Sequence, residues 1–213
     1  MSDAVAGHSA EIARRHSKPK HQTHDSAEKR IVVGYGFWIF LLSDIVMFSA
    51  FFAAYAVLSP ETAGGPNGRD LFHLDTVAIE TACLLLSSFA CGIAALGANA
   101  RNDLMFYLGM AATAILGAGF LGLELNEFVD MIAEGAAPTR SAFLSAFFSL
   151  VGCHGVHVSL GLLWLLTMVA QVFAKGFRED ILRRFLCFAL FWHALDIIWV
   201  GIFSMVYLMG VSQ

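Results

Sequence analysis

Residues 141–174 read SAFLSAFFSLVGCHGVHVSLGLLWLLTMVAQVFA, a run of 34 residues without Asp, Glu, Lys or Arg. A helix needs about 20 apolar residues to cross the ~30 Å hydrocarbon core of a bilayer. Four more apolar segments carry at most one charged residue each, at 32–58, 76–98, 104–123 and 185–211. The pattern predicts an all-α, polytopic membrane protein built as a five-transmembrane-helix bundle.

The composition of the whole chain agrees with this class. Of the 213 residues, 58% are hydrophobic and only 14% are charged, and the mean hydropathy is +0.69. A soluble domain carries about 25% charged residues, so a soluble globule and a disordered chain are both excluded. The net charge of -4 argues against nucleic acid as a partner. We predict a flexible polar tail over residues 1–30 and a membrane domain over 31–213.

The distribution of Lys and Arg predicts the orientation. Eleven of the 13 lie in the tail and on the connections that follow the second and fourth segments. The opposite side carries only Arg69 and Arg140. Since cytoplasmic connections hold the excess of Lys and Arg, we expect the N-terminus in the cytoplasm and the C-terminus in the periplasm.

Four carboxyl side chains lie in or beside the apolar segments, where each needs a partner or water. Asp44 lies roughly 18 Å along the first segment, near the middle of the membrane. We expect it to form a structural hydrogen bond, to belong to a proton pathway, or to contact a lipid headgroup. Glu80, close to the outer end, is expected to snorkel to the interface. Glu124 and Glu127 share one helix face and are expected to border the membrane edge, with a metal site as the alternative.

Three histidines and one more aspartate form two pairs at a spacing of three residues. His154 and His157 lie in the fourth segment, and His193 and Asp196 lie in the fifth. We expect hydrogen bonds between helices. Two other functions stay open: a stand-alone membrane protein that binds haem or metal through the three histidines, and a small transporter with Asp44 as its proton-coupled site. The lack of a visible internal repeat argues against the transporter.

Five blocks of sequence, in order, resemble the haem–copper oxidase subunit III family. They are GFWIFLLSDIVMFSAFFAAYAVL, ETACLLLSS, GAGFLGLELNEF, SAFFSLVGCHGVHVSLG and FWHALDIIWVGIFSMVYLMG, and they span residues 36–210. In having five helices rather than seven, the chain resembles the bo-type ubiquinol oxidase branch. Glu80 replaces an asparagine typical of the cytochrome c branch, and Asp44 replaces a carbodiimide-reactive glutamate of that branch.

The resemblance implies a non-catalytic accessory subunit III of a proton-pumping terminal quinol oxidase in a bacterial inner membrane. Haem, copper and quinol are then expected in a large haem–copper catalytic subunit, its partner, and this chain is expected to contribute no catalytic, cofactor-binding or metal-binding residue. The resemblance also implies bound phospholipid, contacts with the other oxidase subunits, and support of sustained turnover. Subunit III of a cytochrome c oxidase is the alternative within the family.

Overall fold

A computed structural model describes residues 21–65 and 74–212, and the part that it describes is helical throughout apart from the connections. Within these residues, five helices are long and apolar enough to cross a membrane, as predicted. They are α1 (His21–Leu58), α2 (Leu74–Asn99), α3 (Asp103–Ala133), α4 (Ala142–Lys175) and α5 (Glu179–Ile202). A π-helical segment (Phe203–Leu208) and a last turn (Met209–Ser212) continue α5.

Contacts divide the chain into a first unit that ends at Ile39 and a second unit that begins at Phe40. The first unit contains the beginning of α1, so the last ten residues of the predicted tail are helical, while residues 1–20 lie outside the described part. The second unit contains the rest of the helices and every candidate residue. In this unit α2 packs most extensively on α3, and α5 packs on α2 and α4.

Three helices differ from the predicted bounds by more than a few residues. Helix α1 begins eleven residues before Val32, and α3 and α5 continue through charged residues that were taken as helix ends. Helix α3 continues ten residues beyond Leu123, since Glu124 and Glu127 turn into the protein and are only 1% and 8% exposed. Helix α5 begins six residues before Phe185, with Glu179 and Asp180 in its first turn, where carboxylates interact favourably with the helix dipole. Neither extension is visible to a search for apolar residues.

The α2–α3 interface is close enough for backbone to contact backbone. A Cβ atom on Gly109 would lie 2.7 Å from the Ala94 nitrogen and 2.9 Å from the Ala90 oxygen. Across the same interface the Ser87 hydroxyl donates to the Thr113 carbonyl at 3.1 Å, and the Thr113 hydroxyl lies 3.3 Å from the Ser87 carbonyl. Glycine at 109 therefore permits the approach that these side-chain bonds require.

Candidate functional site

Three buried carboxyl side chains meet one tyrosine between α2, α3 and the π-helical segment. We call Glu80, Glu124, Glu127 and Tyr207 the carboxyl cluster. The Tyr207 hydroxyl donates a 3.0 Å hydrogen bond to Glu127 Oε2. The three carboxyl groups are near enough to interact electrostatically with one another. Residues from three separate parts of the chain therefore form one polar site inside the second unit.

The carboxyl cluster contradicts the expected surface positions of its glutamates. Glu80 is 0% exposed, so it does not snorkel to the interface. Glu124 points onto α4, where a Cβ atom on Gly155 would lie 2.7 Å from its Oε1. Both oxygens of Glu80 and of Glu124 are buried without a hydrogen-bond partner among the described residues. The reason is geometric: the face of α3 that carries Glu124 and Glu127 is turned toward α4 and the π-helical segment.

His154 lies next to Gly155 on α4 and is completely buried among aromatic rings. Its ring centroid is 5.2 Å from that of Trp199 and 5.8 Å from that of Phe120, with Phe48 at 6.4 Å. Neither ring nitrogen has a hydrogen-bond partner among the described residues. The helix–helix hydrogen bond expected of His154 is therefore not present, and aromatic packing holds the ring.

Asp44 and His157 face each other between α1 and α4. His157 Nε2 lies 4.0 Å from Asp44 Oδ1, and both side chains are mostly buried. The other ring nitrogen, Nδ1, lies 2.7 Å from the Cys153 carbonyl oxygen, one turn earlier. An N–H at Nδ1 donates to that oxygen and leaves Nε2 directed at the carboxyl group. Asp44 thus has a partner within its own chain.

His193 and Asp196 both interact with Ser88 of α2, whose hydroxyl lies 2.6 Å from His193 Nδ1. Here the expected hydrogen bond between helices is present. It joins α5 to α2 and leaves Asp196 Oδ1 without a partner in the described part of the chain.

Two indole N–H groups add further bonds between α5 and α2 that the sequence analysis missed. Trp192 Nε1 donates to the Ser87 hydroxyl at 3.1 Å, and Trp199 Nε1 donates to the Thr81 hydroxyl at 3.0 Å. A buried tryptophan usually finds an acceptor for its N–H, and this rule could have drawn attention to both. No comparable signal in the sequence indicates that Tyr207 reaches Glu127.

A cleft of about 390 Å³ opens beside the carboxyl cluster. It lies at the end where α3 finishes and α2 begins, which we call the outer end because the charge distribution predicts it outside the cell. We call this cleft the outer cleft. Its polar lining consists of Thr76, Asn126, Glu127, Asp130 and Glu134. Glu127 therefore belongs both to the outer cleft and to the buried carboxyl cluster.

The histidines and carboxyl groups do not converge on a metal site in the described residues. No group of three or more His, Cys, Asp or Glu side chains there has an arrangement that could hold a metal ion. The four members of the carboxyl cluster come from α2, α3 and the π-helical segment, and His154 is enclosed by aromatic rings. What the arrangement offers chemically is hydrogen bonding and proton exchange among carboxyl, phenol and imidazole groups.

Comparison with known proteins gives a consistent set of relatives. The family described as cytochrome c oxidase subunit III matches residues 16–211. The cytochrome bo(3) ubiquinol oxidase subunit 3 of Pseudomonas aeruginosa is 47% identical over 99% of both chains. The quinol oxidase subunit 3 of Bacillus subtilis is 44% identical over 83% of this chain and 87% of its own. The cytochrome c oxidase subunit 3 of Bacillus sp. (strain PS3) is 42% identical over 83% of this chain and 85% of its own. The resemblance drawn from the five sequence blocks is confirmed.

Proposed function

The chain belongs to the cytochrome c oxidase subunit III family, and from this premise we propose that it is the non-catalytic accessory subunit III of a proton-pumping terminal quinol oxidase. The supporting observation is the 47% identity with a ubiquinol oxidase subunit 3 over almost the whole length of both chains. The relatives named for quinol include a second genus, Bacillus. In this function the chain supports a reaction whose electron carriers belong to another subunit.

The internal hydrogen bonds suit a subunit whose task is to keep an assembly intact. Trp192, Trp199 and His193 each join α5 to a hydroxyl group on α2. Measured bonds of this kind between membrane helices contribute about 0.6 kcal/mol on average and at most about 1.7 kcal/mol. Several of them on one interface give a rigid surface against which a larger subunit can pack.

The partner in this proposal is a large haem–copper catalytic subunit, which holds haem, copper and the quinol site. The complex lies in the bacterial inner membrane, with the N-terminus of this chain in the cytoplasm and its C-terminus in the periplasm. The distribution of Lys and Arg supports that orientation. Many large apolar side chains of α1 to α5 are exposed, as expected of helices that contact lipid or neighbouring subunits. Binding of phospholipid is part of the proposal.

The experiment is a purification of the tagged chain from native membranes in mild detergent. We expect a haem-bearing large subunit to co-purify, identified by mass spectrometry and by a reduced-minus-oxidised spectrum. The chain isolated alone is expected to show no haem absorption. A chain that keeps haem without a partner would instead assign His154, His157 and His193 as ligands and would overturn the proposal.

The electron donor is tested on the same preparation. Ubiquinol and reduced cytochrome c are supplied separately, and oxygen consumption is measured with each. The relative from Bacillus sp. (strain PS3) is named for cytochrome c and is nearly as similar as the quinol relative from Bacillus subtilis, so subunit III of a cytochrome c oxidase is the second candidate. Oxidation of ubiquinol supports the first candidate, and oxidation of cytochrome c alone would replace it with the second.

The accessory role has its own test, a strain in which only this chain is deleted. We expect the remaining complex to start at a near-normal rate and to lose activity sooner during continuous turnover. An unchanged stability together with an unchanged active lifetime would contradict the role. Proton-dependent solute uptake by liposomes that contain only this chain would favour a transporter instead.

A further inference from the structure

The carboxyl cluster has more polar atoms than its protein neighbours satisfy. Both oxygens of Glu80 and of Glu124 lack a hydrogen-bond partner in the described part of the chain, and the two side chains are 0% and 1% exposed. A polar group buried without a partner costs several kcal/mol in an apolar environment. Buried water commonly supplies such bonds, each molecule making about three of them. The cluster is therefore built in a way that favours hydration.

His154 extends the same polar region toward the middle of the membrane. It directly precedes Gly155, on which the Glu124 carboxyl group lies. The imidazole is 0% exposed, and both of its nitrogens lack a partner among the described residues. Its ring also packs against Phe120, one turn before Glu124 on α3. An unpartnered, buried imidazole on α4 thus packs on Phe120 of α3, one turn from the unpartnered, buried carboxyl group of Glu124.

Glu127 connects this region to the outer end of the protein. Its side chain lines the outer cleft, which holds about 390 Å³. The same carboxyl group accepts the hydrogen bond from Tyr207 and interacts electrostatically with Glu80 and Glu124. A cleft of this size with a polar lining has room for several water molecules. Glu127 is therefore the carboxyl group that the outer cleft and the carboxyl cluster share.

The segment that carries Tyr207 has an unusual backbone. Phe203–Leu208 is π-helical, whereas the preceding residues of the same span form a regular α-helix. Single π-helical turns inside α-helices are rare and often occur at functional sites. Tyr207 lies in this turn, completely buried, and donates to Glu127. The irregular turn thus supplies a hydrogen bond to Glu127.

We propose that the carboxyl cluster is a hydrated proton-binding site that exchanges protons with the outer cleft through Glu127. The ligands are water and protons, and His154 lies at the inner limit of the site. A hydronium ion in the cleft gives its proton to the Glu127 carboxylate and becomes water. Internal water then relays the proton to the carboxylate of Glu124 or Glu80, which restores the Glu127 carboxylate, so only O–H bonds form and break. The proposal does not depend on which donor the complex oxidises.

The test follows hydrogen–deuterium exchange by infrared spectroscopy on the purified complex. The C=O stretch of a protonated carboxyl group moves to lower frequency in D2O. Difference spectra between the wild-type complex and the Glu80→Gln and Glu124→Gln variants assign the bands. We expect these bands to shift when the wild-type complex is transferred to D2O. Assigned bands that stay unshifted in an intact complex would mean a dry structural cluster and would overturn the proposal.

The role of Glu127 is tested with a matched pair of variants. Glu127→Gln removes the carboxyl group shared by the cleft and the cluster, while Glu134→Gln removes a carboxyl group that lines only the cleft. We expect exchange of the Glu80 and Glu124 bands to slow roughly tenfold in the first variant, as for a barrier raised by about 1.4 kcal/mol. The second variant should leave it unchanged. Equal exchange in both variants would refute access through Glu127.

A second pair covers the case in which Glu127→Gln fails to assemble. Tyr207→Phe keeps every carboxyl group but removes the 3.0 Å bond to Glu127. Tyr55→Phe removes a hydroxyl group that donates a 3.5 Å bond to the Val206 carbonyl and to no other group in the described residues. We expect Tyr207→Phe to change the exchange rate of the assigned bands and Tyr55→Phe to leave it unchanged. An exchange rate that neither substitution alters would contradict the proposal.

Discussion

Replacement of Gly109 by alanine should separate α2 from α3. The added Cβ atom would lie 2.7 Å from the Ala94 nitrogen, and backbone atoms cannot move aside as a side-chain end can. Ordinary contact begins near 3.4 Å, so the helices would have to part by about 0.7 Å. That movement would lengthen the bond from the Ser87 hydroxyl to the Thr113 carbonyl, now 3.1 Å, beyond hydrogen-bonding distance. The Thr113 hydroxyl keeps its 2.8 Å bond to the Gly109 carbonyl on its own helix.

The expected loss of stability in Gly109→Ala is the sum of opposing contributions. Overpacking costs about 1–3 kcal/mol, and each lost bond between membrane helices costs roughly 0.6 kcal/mol. Alanine in place of glycine stabilises a helix by about 1 kcal/mol. We expect Gly109→Ala to lower the free energy of unfolding by about 2 kcal/mol, which corresponds to roughly 4–8 °C in the midpoint for a chain of this size.

Gly119→Ala is the matched control, because it lies on the same helix and its Cβ atom would meet nothing within 4 Å. The assay heats the purified complex and measures, at each temperature, the fraction of the tagged chain that remains folded and bound. Gly119→Ala should match or exceed the wild type in this assay. If Gly109→Ala is as stable as Gly119→Ala, the α2–α3 backbones do not approach as closely as described, and the reasoning is refuted.

Three further predictions concern polar contacts and orientation. Ser88→Ala removes the 2.6 Å contact with His193 and should lower the thermal midpoint of the complex. Ser49→Ala, whose hydroxyl bonds within its own helix, should not lower it. Equal midpoints would show that the contact between helices does not contribute to stability. Asp44→Ala should shorten the active lifetime of the oxidase more than it lowers the initial rate, because it leaves His157 without its carboxyl partner. An unchanged lifetime in an oxygen-consumption assay would mean that the pair contributes only to packing. Alkaline phosphatase fused after residue 213 should be active, because eleven of the 13 Lys and Arg lie on the opposite side of the membrane. An inactive fusion, in cells that contain the fusion protein, would indicate the reverse orientation.

Much of the fold could be predicted because membrane helices are encoded locally. Each span needs only its own apolar residues, so three of the five predicted spans both begin and end within two residues of the observed ones. The ends of α3 and α5 could not be found in this way. There, charged or acidic residues continue the helix, and whether Glu124 ends a span or turns inward depends on the helices packed beside it.

For the candidate residues too, contacts within one helix could be predicted and contacts between helices could not. Sequence spacing brought His154 near His157 and His193 near Asp196, because residues three apart share a face of one helix. It could not show that His193 meets Ser88 or that Tyr207 meets Glu127, since those pairs are 105 and 80 residues apart. Nor could it separate the glycines that contact backbone, such as Gly109, from those that face open space, such as Gly119.

The sequence by itself determined the class of protein, the number of spans, the family and the set of ionisable residues within the membrane. Hydrophobic transfer acts on each segment separately, so the class of protein and the number of spans need no knowledge of neighbouring helices. The family follows from the five sequence blocks. The tertiary structure alone decided that Glu80, Glu124 and Glu127 form one buried cluster and that Asp44 has His157 as its partner. Contacts between membrane helices depend on complementary shape and on hydrogen bonds across the interface. Both can be identified only once the helices are packed together.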